Sequence, residues 1–196
     1  AGGGLRITTT FDQDAMTNME AAIKAQRPEG KYRGLHIGAA SIDVKTGALI
    51  AMYGGQNYLK SQFNWAYRGG QPGSTFKAFA VAAGLQAGFS LKDSFQGNSP
   101  YRFPTGLEIK NEGPGSGNNY GKHITLIKAL EQSVNTAFID LSTGLPNQGG
   151  DVNQMAYTLG IPDDRTTLED NITATLGGNT VGVIDMVNAY STIANL

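Results

Sequence analysis

Gln71-Pro72-Gly73-Ser74-Thr75-Phe76-Lys77, running on into Ala78-Phe79-Ala80-Val81-Ala82-Ala83, is the stretch from which both fold and chemistry can be read. Pro72 and Gly73 break the preceding segment and the Ala/Phe run has helical character, so Ser74 is predicted to open a helix. Lys77 follows three positions on and lies on the same helix face. A hydroxyl and an amine then meet at a positive helix end. A serine is a poor nucleophile until a base removes its proton, and a lysine is that base only when burial or positive potential lowers its pKa. The helix N-terminus supplies potential, the apolar flank of Phe76, Phe79 and Val81 supplies desolvation, and free N–H groups there can hold an oxyanion. The bland alternative is a helix-capping serine beside a solvated lysine, and a lone Ser-x-x-Lys cannot exclude it.

Composition narrows the field. The 196 residues are 40% hydrophobic and 16% charged with 27 glycines, which suits one globular domain or a large piece of one. A formal net charge of −1 gives no long-range pull toward nucleic acid or anionic lipid, so no nucleic-acid partner is expected. With no cysteine there is no disulfide and no thiolate metal site. No signal peptide or transmembrane run is present in these residues, so a membrane anchor is expected only in a preceding N-terminal part.

Outward from Ser74 toward the N-terminus, Ala1-Gly2-Gly3-Gly4 reads as the end of a linker and Leu5 to Thr10 as a short lead-in strand, residues 1–10 together. A helix beginning at Thr10 or Asp12 places Ala15, Met16, Met19, Ala22 and Ile23 on one apolar stripe. Leu35 to Val44 and Ala48 to Tyr53 read as two strands, apolar on both faces, in a buried sheet spanning about residues 31–58. Lys45-Thr46-Gly47 joins them. Lys-Thr-Gly is a motif of serine–lysine enzymes, but here it sits in a tight hairpin where Gly47 supplies the positive φ.

Toward the C-terminus, the Ser74 helix runs to about Gln86 and is apolar on nearly all sides, hence buried. Phe89 to Gly121 is a long irregular excursion rich in Gly, Pro, Asn and Ser, the kind of segment that carries function. Thr125 caps a helix through Leu130, a second runs through Ala137, Phe138 and Leu141, and Ser133-Val134-Asn135 forms their corner, where Asn135 alternatively just caps the second. Helices over Val152 to Leu159 and Gly182 to Leu196 complete the part from about 73 to 196. Neither His36 nor His123 has partners at metal-ligand spacing, and no metal or cofactor is expected. Gly115 to Lys122 fails as a phosphate loop, because His123 stands where Ser or Thr is needed.

Ser74-Thr75-Phe76-Lys77 followed by Ser133-Val134-Asn135 within Ala-Leu-Glu-Gln-Ser-Val-Asn-Thr-Ala-Phe resembles the transpeptidase domain of penicillin-binding proteins. The resemblance covers nearly the whole chain: Gly4 to Asp12 resembles the lead-in of bifunctional class A members, and Asp185 to Asn195 their helix before the third motif. It implies an α+β penicillin-binding/serine β-lactamase-like fold, an antiparallel sheet flanked by helices plus a mainly helical subdomain. Residues 11–196 would be a partial transpeptidase domain.

The resemblance implies that Ser74 attacks the D-Ala-D-Ala carbonyl of a peptidoglycan stem peptide or opens a β-lactam. Lys77 takes its proton, Ser133 bridges Lys77 to the leaving nitrogen, and Asn135 holds the substrate amide. Trp65 and Tyr120 are expected to approach the groove. The Lys-Thr-Gly strand follows Ser-x-Asn in the family, and Lys45-Thr46-Gly47 precedes Ser74, so the later strands are expected from a complementary C-terminal polypeptide. Alone, the chain is expected to be a poor enzyme with an uncovered sheet face or edge. The implied location is the extracytoplasmic face of the bacterial plasma membrane. The alternative is a noncatalytic β-lactam sensor or scaffold of the same fold.

Overall fold

The computed structural model describes residues 3–32, 34–55 and 57–195, the Tyr32 side chain excepted. The linker reading at Ala1 and Gly2 and the last helical residue, Leu196, lie outside these residues. The elements are α1 (Gln13–Gln26), β1 (Ala39–Ile42), β2 (Leu49–Tyr53), α2 (Trp65–Arg68), α3 (Lys77–Gln86), β3 (Ser94–Phe95) and β4 (Tyr101–Arg102). They continue with β5 (Glu108–Ile109), β6 (Ile124–Thr125), α4 (Leu126–Glu131), α5 (Asn135–Thr143), α6 (Gly149–Thr158) and α7 (Val183–Ala194). Two compact units result: Ala1–Gly70 with Leu159–Ile161 and Val181–Leu196, and Gln71–Thr158 with Pro162–Thr180.

In the first unit β1 and β2 form an antiparallel pair, with α1 packed on β2 and α7 on β1. The strand expected over Leu5 to Thr10 forms no ladder. Instead Thr10 Oγ1 donates to the Leu49 carbonyl at 2.6 Å and Asp12 N–H to the Ile50 carbonyl at 2.9 Å. Asp12 then caps α1 by accepting from Ala15 N–H at 2.7 Å, satisfying one of the first-turn donors. The first strand is shorter than its apolar run, starting only at Ala39. Gly38 lies so close to the Trp65 backbone that a Cβ there would collide with it. Apart from Ala51 the two strands are half-buried, not buried on both faces.

The turn at Lys45-Thr46-Gly47 is built locally. Asp43 accepts from Thr46 Oγ1 at 2.7 Å and Thr46 N–H at 2.8 Å, while Gly47 takes φ 70°. These bonds, the Thr46 hydroxyl first, hold the Asp43 carboxyl below the usual carboxylate range. Thr46 is thereby committed to its own hairpin.

The second unit is centred on α3, which packs against α4, α5 and α6. Phe76, Phe79, Ala80, Leu126, Phe138, Ile139, Leu141 and Val152 are all essentially without solvent contact. Burying each of the larger ones stabilises by about 1.5–3 kcal/mol. Phe76 and Phe79 meet edge to face, their centroids 4.9 Å apart. The excursion after α3 is less irregular than its composition implies: β3 pairs with β6, and β4 with β5. The β3–β6 pair lies against α4, and β3 also meets α5.

Candidate active site

Ser74 does not sit in an α-helix. Gly73–Phe76 is a 3₁₀ turn, and α3 begins at Lys77. The cause is local: Gly73 adopts φ 57°, and the Thr75 hydroxyl donates to the Pro72 carbonyl at 2.7 Å, winding the chain tightly. With three residues per turn, positions i and i+3 eclipse, so Ser74 and Lys77 line up more directly than on an α-helix. A second turn, Ala174–Leu176, backs this one. Gly73 N–H donates to the Gly177 carbonyl at 3.1 Å, and a Cβ on Gly177 would fall onto the Gly73 backbone. Ser74 is thus exposed on a turn supported from behind.

Lys77 is 1% exposed, yet its amine has four oxygen neighbours. Nζ lies 2.7 Å from the Ser133 carbonyl, 2.7 Å from Asn135 Oδ1, 3.0 Å from Ser133 Oγ and 3.1 Å from Ser74 Oγ. The two nearest are pure acceptors and claim two N–H bonds. The third position on nitrogen faces the two hydroxyls; it is a proton in the ammonium and a lone pair in the amine. In the neutral form Nζ can therefore accept from Ser74 or Ser133. Burial is the main cause that lowers the Lys77 pKa to about 8, while the negative charge of Glu112 raises it. The Phe138 ring, 5.3 Å from Nζ, lies on the side that favours the cation.

The corner between α4 and α5 sets the other half. Ser133 holds φ 53°, a backbone region non-glycine residues seldom occupy, and both its carbonyl and its hydroxyl meet Lys77. Asn135 is the first residue of α5, and the cap residue is Val134, which has no side-chain cap bond. Asn135 is therefore not a cap. Its Nδ2 donates to the Lys110 carbonyl at 3.0 Å, and since that carbonyl can only accept, the amide must turn its oxygen to Lys77.

Ser74, Lys77, Ser133 and Asn135 are brought together; the two aromatics are not joined to them by these bonds. Tyr120 is half-buried on the excursion, with its backbone N–H on the Gly97 carbonyl at 3.0 Å. Trp65 belongs to the first unit, where its ring stacks on His36 at 3.8 Å between centroids. Sequence reasoning missed Lys110, Asn111, Glu112 and Phe138. Lys110 acts through its backbone, which no side-chain pattern reveals, and Asn111 and Glu112 lie in a polar excursion with no motif to single them out. Among the described residues no group of three or more His, Cys, Asp or Glu is gathered as a metal site.

Comparison with known proteins agrees in one direction. The penicillin binding protein transpeptidase domain matches residues 37–196. The chain is 35% identical over 205 residues to penicillin-binding protein 1A of Mycolicibacterium smegmatis, covering 97% of this chain and 25% of that protein. The structure of the penicillin-binding protein PonA1 from Mycobacterium tuberculosis superposes with a TM-score of 0.80 at 32% identity, covering 96% of this chain and 50% of that one. The same protein in complex with penicillin V gives 0.78 at 30% identity, covering 96% and 51%. The chain spans about a quarter of the length of the curated relatives it matches.

Proposed function

We propose that this chain, which belongs to the penicillin-binding protein transpeptidase family, carries the acylating machinery of a peptidoglycan D,D-transpeptidase that works through an acyl-serine at Ser74. The observation that carries this reading is the arrangement at Lys77, a buried amine with two pure acceptors on two N–H bonds and two hydroxyls at the remaining position. Neutral Lys77 takes the Ser74 proton as Oγ bonds to the penultimate D-Ala carbonyl of a stem peptide. When the tetrahedral intermediate collapses, the C–N bond breaks. The proton returns from Lys77 through Ser133 Oγ to the departing nitrogen, and D-alanine leaves. An amine of a neighbouring strand then attacks the ester, gives up a proton along the same path and restores Ser74 Oγ–H.

A β-lactam enters by the same first step. Its ring amide opens onto Ser74, and the ring nitrogen takes the proton but stays tethered. Asn135 uses one Nδ2 hydrogen on Lys110, so the other is free in this arrangement to hold the substrate amide. The family resemblance further implies that a Lys-Thr-Gly strand from sequence beyond this chain binds the substrate carboxylate, and that the domain works on the extracytoplasmic side of the membrane. Among the described residues no helix is long and apolar enough to cross a membrane.

The test is release of free D-alanine from a pentapeptide ending in D-Ala-D-Ala, in the intact protein with an acceptor amine present. Release that disappears in Ser74→Ala is the expected result. Covalent β-lactam binding without any D-alanine release would favour a sensor or scaffold instead.

A further inference from the structure

Two consecutive residues of the excursion grip the two residues that open α5. Asn135 Nδ2 donates to the Lys110 carbonyl at 3.0 Å; next along both chains, the Thr136 N–H and hydroxyl donate to Asn111 Oδ1 at 3.0 and 3.1 Å. Asn111 is 5% exposed, and every polar group of its side chain is used. Its Nδ2 donates to the Gly97 and Asn118 carbonyls at 3.1 and 3.0 Å. Its own N–H donates to Ser99 Oγ at 2.9 Å, and that hydroxyl donates onward to the Ser116 carbonyl at 2.6 Å. A Cβ on Gly117 would strike the Asn111 carbonyl, so the loop wraps Asn111 as closely as glycine permits. Both ends of the excursion therefore converge on one amide.

The amide also does for α5 what its own cap residue does not. The first-turn N–H groups of a helix lack internal partners, and Val134 offers no side-chain acceptor. Asn111 Oδ1 supplies one from across the fold. The carbonyl of Lys110 is fixed by the same anchor, and together with the N–H donors of Lys77 it sets which end of the Asn135 amide faces the amine. Were it displaced, the Asn135 amide would keep only its bond to Lys77, and its oxygen would no longer be held in place from both ends.

We propose that Asn111 is a positioning residue for acylation: by locking the Lys110 carbonyl to the first turn of α5, it holds the Asn135 oxygen on Lys77. The proposal rests on the acylating reading above, and its test separates the two. In the intact protein labelled with ¹⁵N-asparagine, the Asn135 side-chain amide signal reports the clamp whether or not the protein acylates. Asn111→Leu is expected to shift that signal. It should also slow labelling by a fluorescent penicillin on the plateau above pH 9, where Lys77 is neutral in both proteins, by at least about tenfold, the scale of a small misplacement of a catalytic group. Loosening an acceptor for the ammonium also moves the midpoint of the pH–rate curve downward.

Thr136→Val, which removes one hydroxyl bond and keeps the backbone one, should move the same signal less and serves if Asn111→Leu does not fold. An Asn135 signal and a midpoint identical to wild type, even with a lowered melting temperature, would make Asn111 a purely structural residue and overturn the proposal. Wild-type protein that takes up no penicillin would overturn the acylating reading, while a shifted Asn135 signal would still uphold the clamp.

Discussion

The rate of acylation should follow the charge state of Lys77. With its pKa lowered to about 8 by burial, against 10.5 for an ordinary lysine, the fraction able to accept the Ser74 proton is set by pH across a convenient range. A single titration with that midpoint leaves roughly 1% neutral at pH 6, about 9% at pH 7 and about 91% at pH 9. If the neutral amine is the base, the second-order rate of penicillin labelling rises about ninetyfold from pH 6 to 9, tenfold per unit at first, then levels. The assay is stopped-flow labelling with a β-lactam that has no group titrating in that range. Glu112→Gln removes the charge that raises the Lys77 pKa, so the curve should shift to lower pH and labelling at pH 7 should quicken. A rate flat from pH 6 to 9, or one still climbing without a plateau toward pH 10.5, would refute the role given to buried Lys77.

The same pKa bears on stability, with a definite sign. Because the folded value lies below the unfolded one, between about pH 8 and 10.5 the unfolded chain holds a proton the folded chain has released. Stability therefore rises with pH across that window, and the penalty of the buried charge is fully present below it.

Two substitutions probe the surroundings. Lys45→Ala should leave penicillin labelling within about twofold of wild type, since Thr46 and Gly47 are spent on their own turn; the motif reading of Lys45-Thr46-Gly47 demands a loss as deep as at Lys77. Gly177→Ala puts a methyl group against the Gly73 backbone at a residue with φ 70°, and should lower stability by about 1–3 kcal/mol in denaturant titration while slowing labelling. Unchanged labelling there would detach the Ala174–Leu176 turn from the nucleophile.

What could be read from sequence and what could not divides along physical lines. The pairing of Ser74 with Lys77 is a matter of spacing, and it survives the change from α-helix to 3₁₀ turn because i and i+3 face alike in both. The α+β class is what the resemblance carried by the Ser74 and Ser133 motifs implies, and the fold is that of the penicillin-binding transpeptidase domain. The run from Leu35 predicts a strand that the fold begins only at Ala39, because close approach to the Trp65 backbone, not side-chain alternation, governs Gly38. At Asn135 propensity pointed to a cap, and tertiary contacts overrode it: Lys77 and Lys110 take both ends of the amide. The positive φ of Ser133, the Lys110 carbonyl and the Asn111 anchor are backbone and long-range features, and a side-chain pattern carries no trace of them.

The account stands or falls on Ser74 as the nucleophile. Intact protein incubated with a penicillin, denatured, digested and mapped by mass spectrometry should carry one penicilloyl group, on the peptide containing Ser74, and none in Ser74→Ala. An adduct on another residue, or undiminished labelling of Ser74→Ala, would contradict it.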